Sequence, residues 1–246
     1  MSTRTSRASS PSGDPLRDTP PLIPEEGLSG ATVLLANGDF PRHPLARNTL
    51  RAARRIVCCD GAADALARRE PALAPAAVVG DFDSAGTTAR RRYPPALFHH
   101  DPDQDTNDLD KAFRFAMRRR WGARLVVLGA TGRREDHALG NIARLADFAS
   151  EAPAIRMVTD HGIFVTLVAS GRIRCGAGRP VSVFSFDPGQ RIDSEGLVWP
   201  LRALATVPLW RATLNRAGDD VIALRLSRPT PVLVYLAHQR AGDRGA

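Results

Sequence analysis

Residues 124–149 decide the fold, and they read RLVVLGATGRREDHALGNIARLADFA. The stretch opens with an uninterrupted apolar run at 124–128, turns at Gly129 and Gly132, and continues into helix-like sequence over 136–149. An apolar run without alternation is typical of a strand that is buried on both faces. Strand, glycine turn and helix in that order predict a parallel sheet with crossover helices.

The same alternation extends toward the N-terminus from this unit. Apolar runs that predict strands lie at 32–36, 55–59, 76–79, 96–98, 124–128 and 155–158, and helix-like stretches lie at 45–54, 62–70, 105–120 and 136–149. We therefore expect an α/β domain with a parallel, Rossmann-like sheet over residues 30–160.

The two ends of the chain have a different composition. After residue 160, short β-rich stretches alternate with Gly, Pro and Asp turns, at 162–168, 180–186, 221–226 and 231–236. This pattern predicts a small all-β sandwich domain over residues 161–246. Residues 1–29 are rich in Ser, Pro, Arg and Thr without apolar periodicity, so we expect a disordered tail.

Bulk composition limits the functional classes. The net charge is +8, but the excess lies in short Arg pairs and triplets, and aromatic residues make up only 6%. That pattern favours solvated helix ends over a nucleic-acid surface. No apolar run is long enough for a membrane span. The three cysteines form no CxxC pair, so we expect no disulfide framework and a cytoplasmic protein.

Three acidic clusters follow predicted strands. They are Cys59-Asp60-Gly61, Gly80-Asp81-Phe82-Asp83-Ser84 and Asp103-Gln104-Asp105-Thr106-Asn107-Asp108. The carboxyl ends of parallel strands meet at one edge of a sheet, so these carboxylates are expected to converge. Convergent carboxylates are typical of a Mg²⁺ site that carries phosphates.

Two pairs of side chains in or next to these clusters support the expected Mg²⁺ site. Asp81 and Asp83 alternate in an extended segment and can face one cation. Asp108 and Lys111, the only lysine in the chain, are three residues apart and share a helix face. Each pair also has an ordinary structural explanation: Asp81 and Asp83 as part of an Asp-rich turn, and Asp108 and Lys111 as a helix salt bridge. We expect Thr106 to cap this helix and Asp110 to be solvated.

Residues 129–137 form a glycine-containing turn before a helix, which is typical of an anion site. Arg134 can clamp a phosphate, and Asp136 can either orient Arg134 or cap the helix. Zinc binding at His99-His100-Asp101 is disfavoured, because no further His or Cys follows at ligand spacing.

Taken together, these segments resemble the thiamine pyrophosphokinase family. The motifs occur in the family's order, and the likeness covers roughly residues 31–237; the segments are 36–41, 59–63, 79–84, 103–108 with Lys111, 129–137 and 196–201. The resemblance implies Mg²⁺-dependent transfer of diphosphate from ATP to the hydroxyl of thiamine, with release of AMP. It also implies an α/β nucleotide-binding domain, a thiamine-binding β-sandwich and a homodimer.

Site residues follow from the resemblance by position. Asp81, Asp83 and Asp108 are expected to bind Mg²⁺, and Asp108 and Lys111 to be catalytic, with Asp108 accepting the alcohol proton. Thr213 and Asn215 are expected to contact thiamine. The nucleotide is expected to contact Asp60, Gln104, Asp105, Lys111, Thr131, Arg134 and Asp136.

Alternative functions remain open from the sequence. Leu214 stands where the family has a hydroxyl residue, so a related enzyme could act on another alcohol, such as a pterin. A second alternative is a Mg²⁺-dependent phosphatase with Asp81 as the nucleophile and Asp83 as the acid. Phosphatases of the haloacid dehalogenase class carry that motif after their first core strand, whereas here it follows the third.

Overall fold

A computed structural model describes residues 16–82 and 87–239 of the protein. Its first half alternates strands and helices, as the apolar pattern predicts. The strands are β1 (Thr32–Leu35), β2 (Arg55–Cys59), β3 (Ala77–Gly80), β4 (Phe98–His100), β5 (Leu125–Leu128) and β6 (Arg156–Val158). The helices are α1 (Pro44–Arg51), α2 (Ala62–Arg69), α3 (Thr87–Arg92), α4 (Asp108–Arg118) and α5 (Glu135–Glu151).

The second half is almost entirely β-structure. Its strands are β7 (Gly162–Leu167), β8 (Gly171–Arg174), β9 (Pro180–Ser185), β10 (Ile192–Glu195), β11 (Asn215–Arg216), β12 (Val221–Leu226) and β13 (Val232–Ala237). Strands β10, β12 and β8 form an antiparallel three-stranded sheet. Strands β7, β9, β11 and β13 instead continue the sheet of the first half.

The result is one mixed sheet of ten strands, in the order β11-β9-β13-β7-β6-β5-β1-β2-β3-β4. Strands β1 to β6 run parallel, and Val33 of β1 is in register with Ile56 of β2 and Val126 of β5. The direction reverses at β7, which pairs antiparallel with β6. The predicted α/β sheet and the antiparallel β-structure after it are therefore both present, and a single sheet passes through them.

Alternate residues of β1 face opposite sides of the sheet and pack against different helices. Val33 and Leu35 belong to one apolar cluster, together with Leu50 of α1 and Leu66 of α2. Leu34 belongs to the opposite cluster, which includes Phe113 of α4 and Phe148 of α5. Both faces of the strand are thus covered by helices, which is why its sequence is apolar without alternation.

Helix α4 is shorter than the predicted stretch 105–120, and its N-cap lies one residue later than predicted. Its N-cap is Asn107 rather than Thr106, because Asn107 is extended and its side chain accepts a hydrogen bond from the Asp110 backbone N–H at 2.9 Å. Asp110 was expected to be solvated and is buried instead. The reason is Arg144 of α5, whose Nε donates to Asp110 Oδ1 at 2.8 Å.

The N-terminal segment also differs from the expected disordered tail. Leu22 pairs with the edge of β8, where its N–H donates to Arg172 O at 2.8 Å and its carbonyl accepts from the Arg174 N–H at 2.9 Å. Arg156 of β6 donates to Pro24 O at 2.9 Å, and Leu28 is buried. Backbone pairing and arginine–carbonyl bonds order a segment whose composition has little apolar content. Residues 1–15 lie outside the described part.

Candidate functional site

A cavity of about 610 Å³ opens at the carboxyl ends of the parallel strands. Its walls are the loops after β1, β3 and β5 and the first turn of α4. The chain proceeds from β1 outward to β4 and then returns to the other side of β1 as β5, so the strand order reverses here. Open α/β sheets bind ligands at such a reversal.

Lys111 forms the floor of this cavity. Its side chain is 2% exposed, and its Nζ lies 3.1 Å from Asp81 Oδ2 and 3.6 Å from Asp108 Oδ1. Burial acts to lower the pKa of Lys111, but the hydrogen bond to Asp81 and the charges of both carboxylates outweigh it and raise the pKa above its ordinary value. The ammonium is therefore charged at neutral pH.

Asp60 lies behind this pair, at the end of β2, and is 1% exposed. Gly80 is what allows the approach: a Cβ at this position would lie 2.8 Å from Asp60 Cβ and 3.4 Å from Asp108 Oδ1. The structure thus brings Asp60, Asp81, Asp108 and Lys111 together around Gly80. Asp83, the remaining predicted metal ligand, lies outside the described residues.

The donor set of the described residues is suited to Mg²⁺. Within residues 16–82 and 87–239, no three His, Cys, Asp or Glu side chains are placed to share one ion. Mg²⁺ commonly keeps several waters and binds through only one or two carboxylates together with substrate phosphates. The half-buried carboxylates of Asp81 and Asp108 meet that requirement.

The loop before α4 does not follow the prediction. Gln104 and Asp105 are exposed, and among the described residues neither lines the cavity. Asp103 holds the loop instead: it accepts hydrogen bonds from the Asp105 backbone N–H at 2.9 Å and from Arg114 at 3.0 Å. These bonds, with that of Thr106, lower the pKa of Asp103.

The loop between β5 and α5 packs directly on the loop after β1. The Gly38 N–H donates to Gly129 O at 2.6 Å, and the Asp39 N–H donates to Thr131 O at 2.8 Å. Thr131, which is expected from the sequence to contact the nucleotide, lines the cavity. The two loops form one continuous wall.

Arg134 and Asp136 form a bidentate pair at the cavity mouth. Arg134 Nε donates to Asp136 Oδ1 at 3.1 Å, and Arg134 Nη2 donates to Asp136 Oδ2 at 2.5 Å. The hydrogen bond from Arg134 is the main cause that lowers the pKa of Asp136. Asp136 orients Arg134, and its Oδ1 also accepts the His137 backbone N–H at 2.8 Å, although the N-cap position of α5 is Arg134.

Sequence reasoning missed a set of polar contacts that hold the cavity wall. Arg133 Nη1 donates to Asn37 Oδ1 at 3.1 Å. Asn141 of α5 donates to Ala130 O at 2.9 Å and accepts from Asn107 at 3.4 Å. Asn37 lies two residues after the last residue of β1, and that position beyond the end of a central strand was the available signal.

The predicted thiamine contacts lie far from this cavity within one chain. Asn215 begins β11, at the opposite side of the sheet, eight strand spacings from β3. Its Nδ2 donates to Trp199 O at 2.7 Å, which fixes the preceding loop. Thr213 Oγ1 donates to Trp210 O at 2.7 Å. The structure does not bring Thr213 or Asn215 to Lys111.

Large apolar side chains are exposed around β11. The exposed fractions are 59% for Trp199, 72% for Trp210 and 87% for Leu214. The Leu214 backbone is left-handed, with φ 59°, and its N–H donates to Ser182 Oγ at 3.2 Å. Exposed aromatic and aliphatic groups of this size are typical of binding surfaces.

Comparison with known proteins covers both halves of the chain. The family models described as thiamin pyrophosphokinase, catalytic domain, and thiamin pyrophosphokinase, substrate-binding domain, match residues 46–158 and 162–235. Thiamine pyrophosphokinase 1 of Oryza sativa subsp. japonica is 31% identical over 174 residues, which are 61% of this chain and 64% of that protein. Thiamine pyrophosphokinase of Bacillus subtilis (strain 168) is 35% identical over 89 residues, 35% of this chain and 41% of that protein. Each match thus spans less than two thirds of the relative's length.

Solved structures share the fold. Thiamin pyrophosphokinase from Candida albicans superimposes with a TM-score of 0.71 at 17% identity, over 85% of this chain and 90% of that chain. The Bacillus subtilis enzyme gives 0.67 at 22% identity, over 85% of this chain and 100% of that chain. None of the helices in the described residues is long and apolar enough to cross a membrane. With both family models matched in order along most of its length, the chain belongs to the thiamin pyrophosphokinase family.

Proposed function

We propose that this protein transfers the diphosphate group of ATP to the hydroxyl of thiamine, giving thiamine diphosphate and AMP. The observation that carries the proposal is the buried ammonium of Lys111 between Asp81 and Asp108, at the point where the strand order reverses. The family membership of both halves of the chain supports the same reaction.

In this reaction the thiamine oxygen attacks the β-phosphorus of ATP. A new oxygen–phosphorus bond forms, the bond from the β-phosphorus to the bridging oxygen breaks, and AMP leaves with that oxygen. The proton of the alcohol passes to a carboxylate, for which Asp108 is our candidate. Transfer of this kind depends mainly on positioning and on neutralising the charge of the phosphates.

Charge neutralisation is divided between a cation and the chain. Asp81 and Asp108, with Asp83 outside the described residues, would hold Mg²⁺, which supplies positive charge to the phosphate oxygens when it is bound. Lys111 places a fixed ammonium beside the same carboxylates, 3.1 Å from Asp81. Thr131, Arg134 and Asp136 line the same cavity and are candidates for nucleotide contacts, with Asp60 behind Gly80.

The acceptor site is proposed to be completed by a second copy of the chain. Asn215 lies eight strand spacings from β3, which is about 38 Å along the sheet at about 4.8 Å per strand. Within one chain, this separation along the sheet keeps Asn215 remote from Asp81, which follows β3. A homodimer interface that buries Trp199, Trp210 and Leu214 would place Thr213 and Asn215 of one chain next to the cavity of the other chain.

Three further expectations belong to the same proposal. The chain divides near residue 160 into a Rossmann-like nucleotide domain and a thiamine-binding domain, in keeping with the change of family model between residues 158 and 162. The location is cytoplasmic, in keeping with three free cysteines. We expect no nucleic-acid partner, since the excess arginines lie in short pairs and triplets and aromatic residues make up only 6% of the chain.

The products of the reaction test the proposal. Incubation with ATP, Mg²⁺ and thiamine should give AMP and thiamine diphosphate in equal amounts, measured by chromatography. ADP or inorganic phosphate as the nucleotide product would reject diphosphate transfer. A pterin alcohol added in competition tests the alternative acceptor that Leu214 suggests, and preferential modification of the pterin would replace thiamine in the proposal.

A further inference from the structure

We infer that Arg133 is a triphosphate-binding residue of this site, and that it acts as an anion contact separate from Arg134. The inference rests on the proposed function and adds a residue to it. Arg133 lies one position before the N-cap of α5 and lines the same cavity as Lys111 and Asp81.

The charges that line the cavity are largely paired within the protein. Lys111 is shared by Asp81 and Asp108, and Arg134 is held through two nitrogen atoms by both oxygens of Asp136. In the part of the chain that the structure describes, Arg133 makes no ion pair, and its hydrogen-bond partner is the neutral amide of Asn37. Among the described residues, Arg133 therefore contributes a positive charge to the cavity with which no carboxylate forms an ion pair.

The Arg133 guanidinium is oriented as well as charged. Its Nη1 donates to Asn37 Oδ1 at 3.1 Å. The Asn37 side chain lies close to Gly61, where a Cβ would be 2.6 Å from Asn37 Nδ2. A guanidinium has five N–H donors, so one bond to Asn37 directs the group and leaves donors for a ligand. Holding the group in place before binding reduces the entropy lost on binding.

The backbone around Arg133 is fixed by the adjacent loop. The bonds from Gly38 to Gly129 and from Asp39 to Thr131 tie the β5–α5 loop to the end of β1. Arg133 is thus presented on a wall supported by two strands of the sheet. Groups held by rigid elements bind phosphates with defined geometry.

Arg133 and Arg134 differ in what binding requires of them. Arg134 must release at least one oxygen of Asp136 before it can contact a phosphate through two nitrogen atoms. Arg133 keeps its bond to Asn37 and can donate through its other nitrogen atoms. A triphosphate that enters beside Asp81, Asp108 and Asp136 meets negative charge, and Arg133 offsets part of that repulsion.

The test measures binding of two probes by titration calorimetry in the full-length protein. One is α,β-methylene-ATP, in which the bond that would break is blocked, and the other is inorganic tripolyphosphate, both with Mg²⁺. Arg133→Gln should weaken both by about tenfold or more, the loss expected for one charge-assisted hydrogen bond. Arg133→Lys should recover part of the affinity, because it retains the charge.

The matched control is Arg118→Gln, an exposed arginine in the last turn of α4. It should bind both probes as the wild type does, and thermal unfolding of all variants should be unchanged. Wild-type affinity in Arg133→Gln would overturn the inference, and so would a wild-type protein that binds neither probe. If the wild type forms no AMP with thiamine but tripolyphosphate binding still depends on Arg133, the proposed function fails and the polyphosphate site stands.

Discussion

Lys111 Nζ lies 3.1 Å from Asp81 Oδ2, on a side chain that is 2% exposed. The chain contains 34 Lys and Arg residues, and this is its only lysine. A buried ammonium with two carboxylate neighbours costs desolvation energy, which only good geometry offsets. A compact ammonium fits between Asp81 and Asp108, whereas a planar guanidinium needs more space and a forked partner.

Lys111→Arg should therefore lower kcat by about 100-fold or more, the loss typical of a displaced charge-stabilising donor. The rate of AMP formation measures the effect, and thermal unfolding checks that the variant is folded. Arg118→Lys makes the reverse exchange on an exposed turn of the same helix and should leave kcat unchanged. Normal turnover by Lys111→Arg would show that the choice of lysine is incidental.

Asp81→Asn should raise the Mg²⁺ concentration that gives half-maximal turnover by about tenfold or more, as expected when a metal-site carboxylate loses its charge. Mg²⁺ titrations of the initial rate measure the change, and chelation by EDTA should abolish wild-type turnover reversibly. Asp147→Asn, at an exposed position of α5, is the control. An unchanged Mg²⁺ requirement in Asp81→Asn would remove Asp81 from the metal site.

Much of the α/β half could be predicted because its strands are buried on both faces. The apolar runs at 55–59 and 124–128 agree with β2 and β5 to within one residue. Strand β8 was not predicted, since Gly171–Arg174 contains two arginines and shows no apolar run. Its pairing with β12 on one edge and Leu22 on the other makes it a strand, and neither partner is close in sequence.

In the site too, contacts set by local sequence could be predicted, and contacts between distant segments could not. Asp60, Asp81 and Asp108 were expected to lie together, because neighbouring parallel strands end at one edge. The contact between Asp110 and Arg144 could not be predicted, because these residues are 34 positions apart and helical periodicity alone leaves Asp110 facing solvent. Only the packing of α5 beside α4 supplies the partner.

This pair, in which Asp110 is buried and Arg144 is partly exposed, predicts unequal effects of removing its two members. Arg144→Gln leaves the buried Asp110 carboxylate without its cation and should lower the free energy of unfolding by about 2 kcal/mol, less than for a fully buried pair because Arg144 is 41% exposed. Asp110→Asn keeps a hydrogen-bonding group and leaves Arg144 beside Asp147, so about 1 kcal/mol is expected. Urea unfolding measures both, and equal losses would contradict this account.

Glu70 predicts a pH dependence of stability. It is buried at the end of α2, where Arg51 and Arg47 hydrogen-bond to it and lower its pKa. A carboxylate with a lowered pKa in the folded state stabilises the protein above the unfolded pKa and stops doing so as the pH falls through the folded value. The free energy of unfolding of Glu70→Gln should therefore be lower than that of the wild type by about 1–2 kcal/mol at pH 7. This loss is smaller than for a fully buried ion pair, because Arg47 and Arg51 are half-exposed and water screens their charges.

The difference between the Glu70→Gln variant and the wild type should shrink as the pH falls from about 5 to about 3, measured by thermal unfolding. Glu195→Gln removes an exposed pair with Arg225 and should change stability by less than about 0.5 kcal/mol. A gap for Glu70→Gln that stays constant down to pH 3 would mean that the ion pair is not its cause.

The proposed dimer can be tested by mixing two inactive variants. Lys111→Arg alters the cation beside Asp81 in the proposed phosphate-binding cavity. Asn215→Ala removes the hydrogen bond to Trp199 O that holds the loop near the proposed thiamine contacts. If each site combines the cavity of one chain with the β11 region of the other, each heterodimer regains one intact site. Random exchange of subunits in a two-fold dimer should then restore about a quarter of wild-type turnover. Each variant alone should stay inactive, and native mass spectrometry would verify the mixed dimers. Mixed dimers without recovered turnover would place the acceptor site within a single chain.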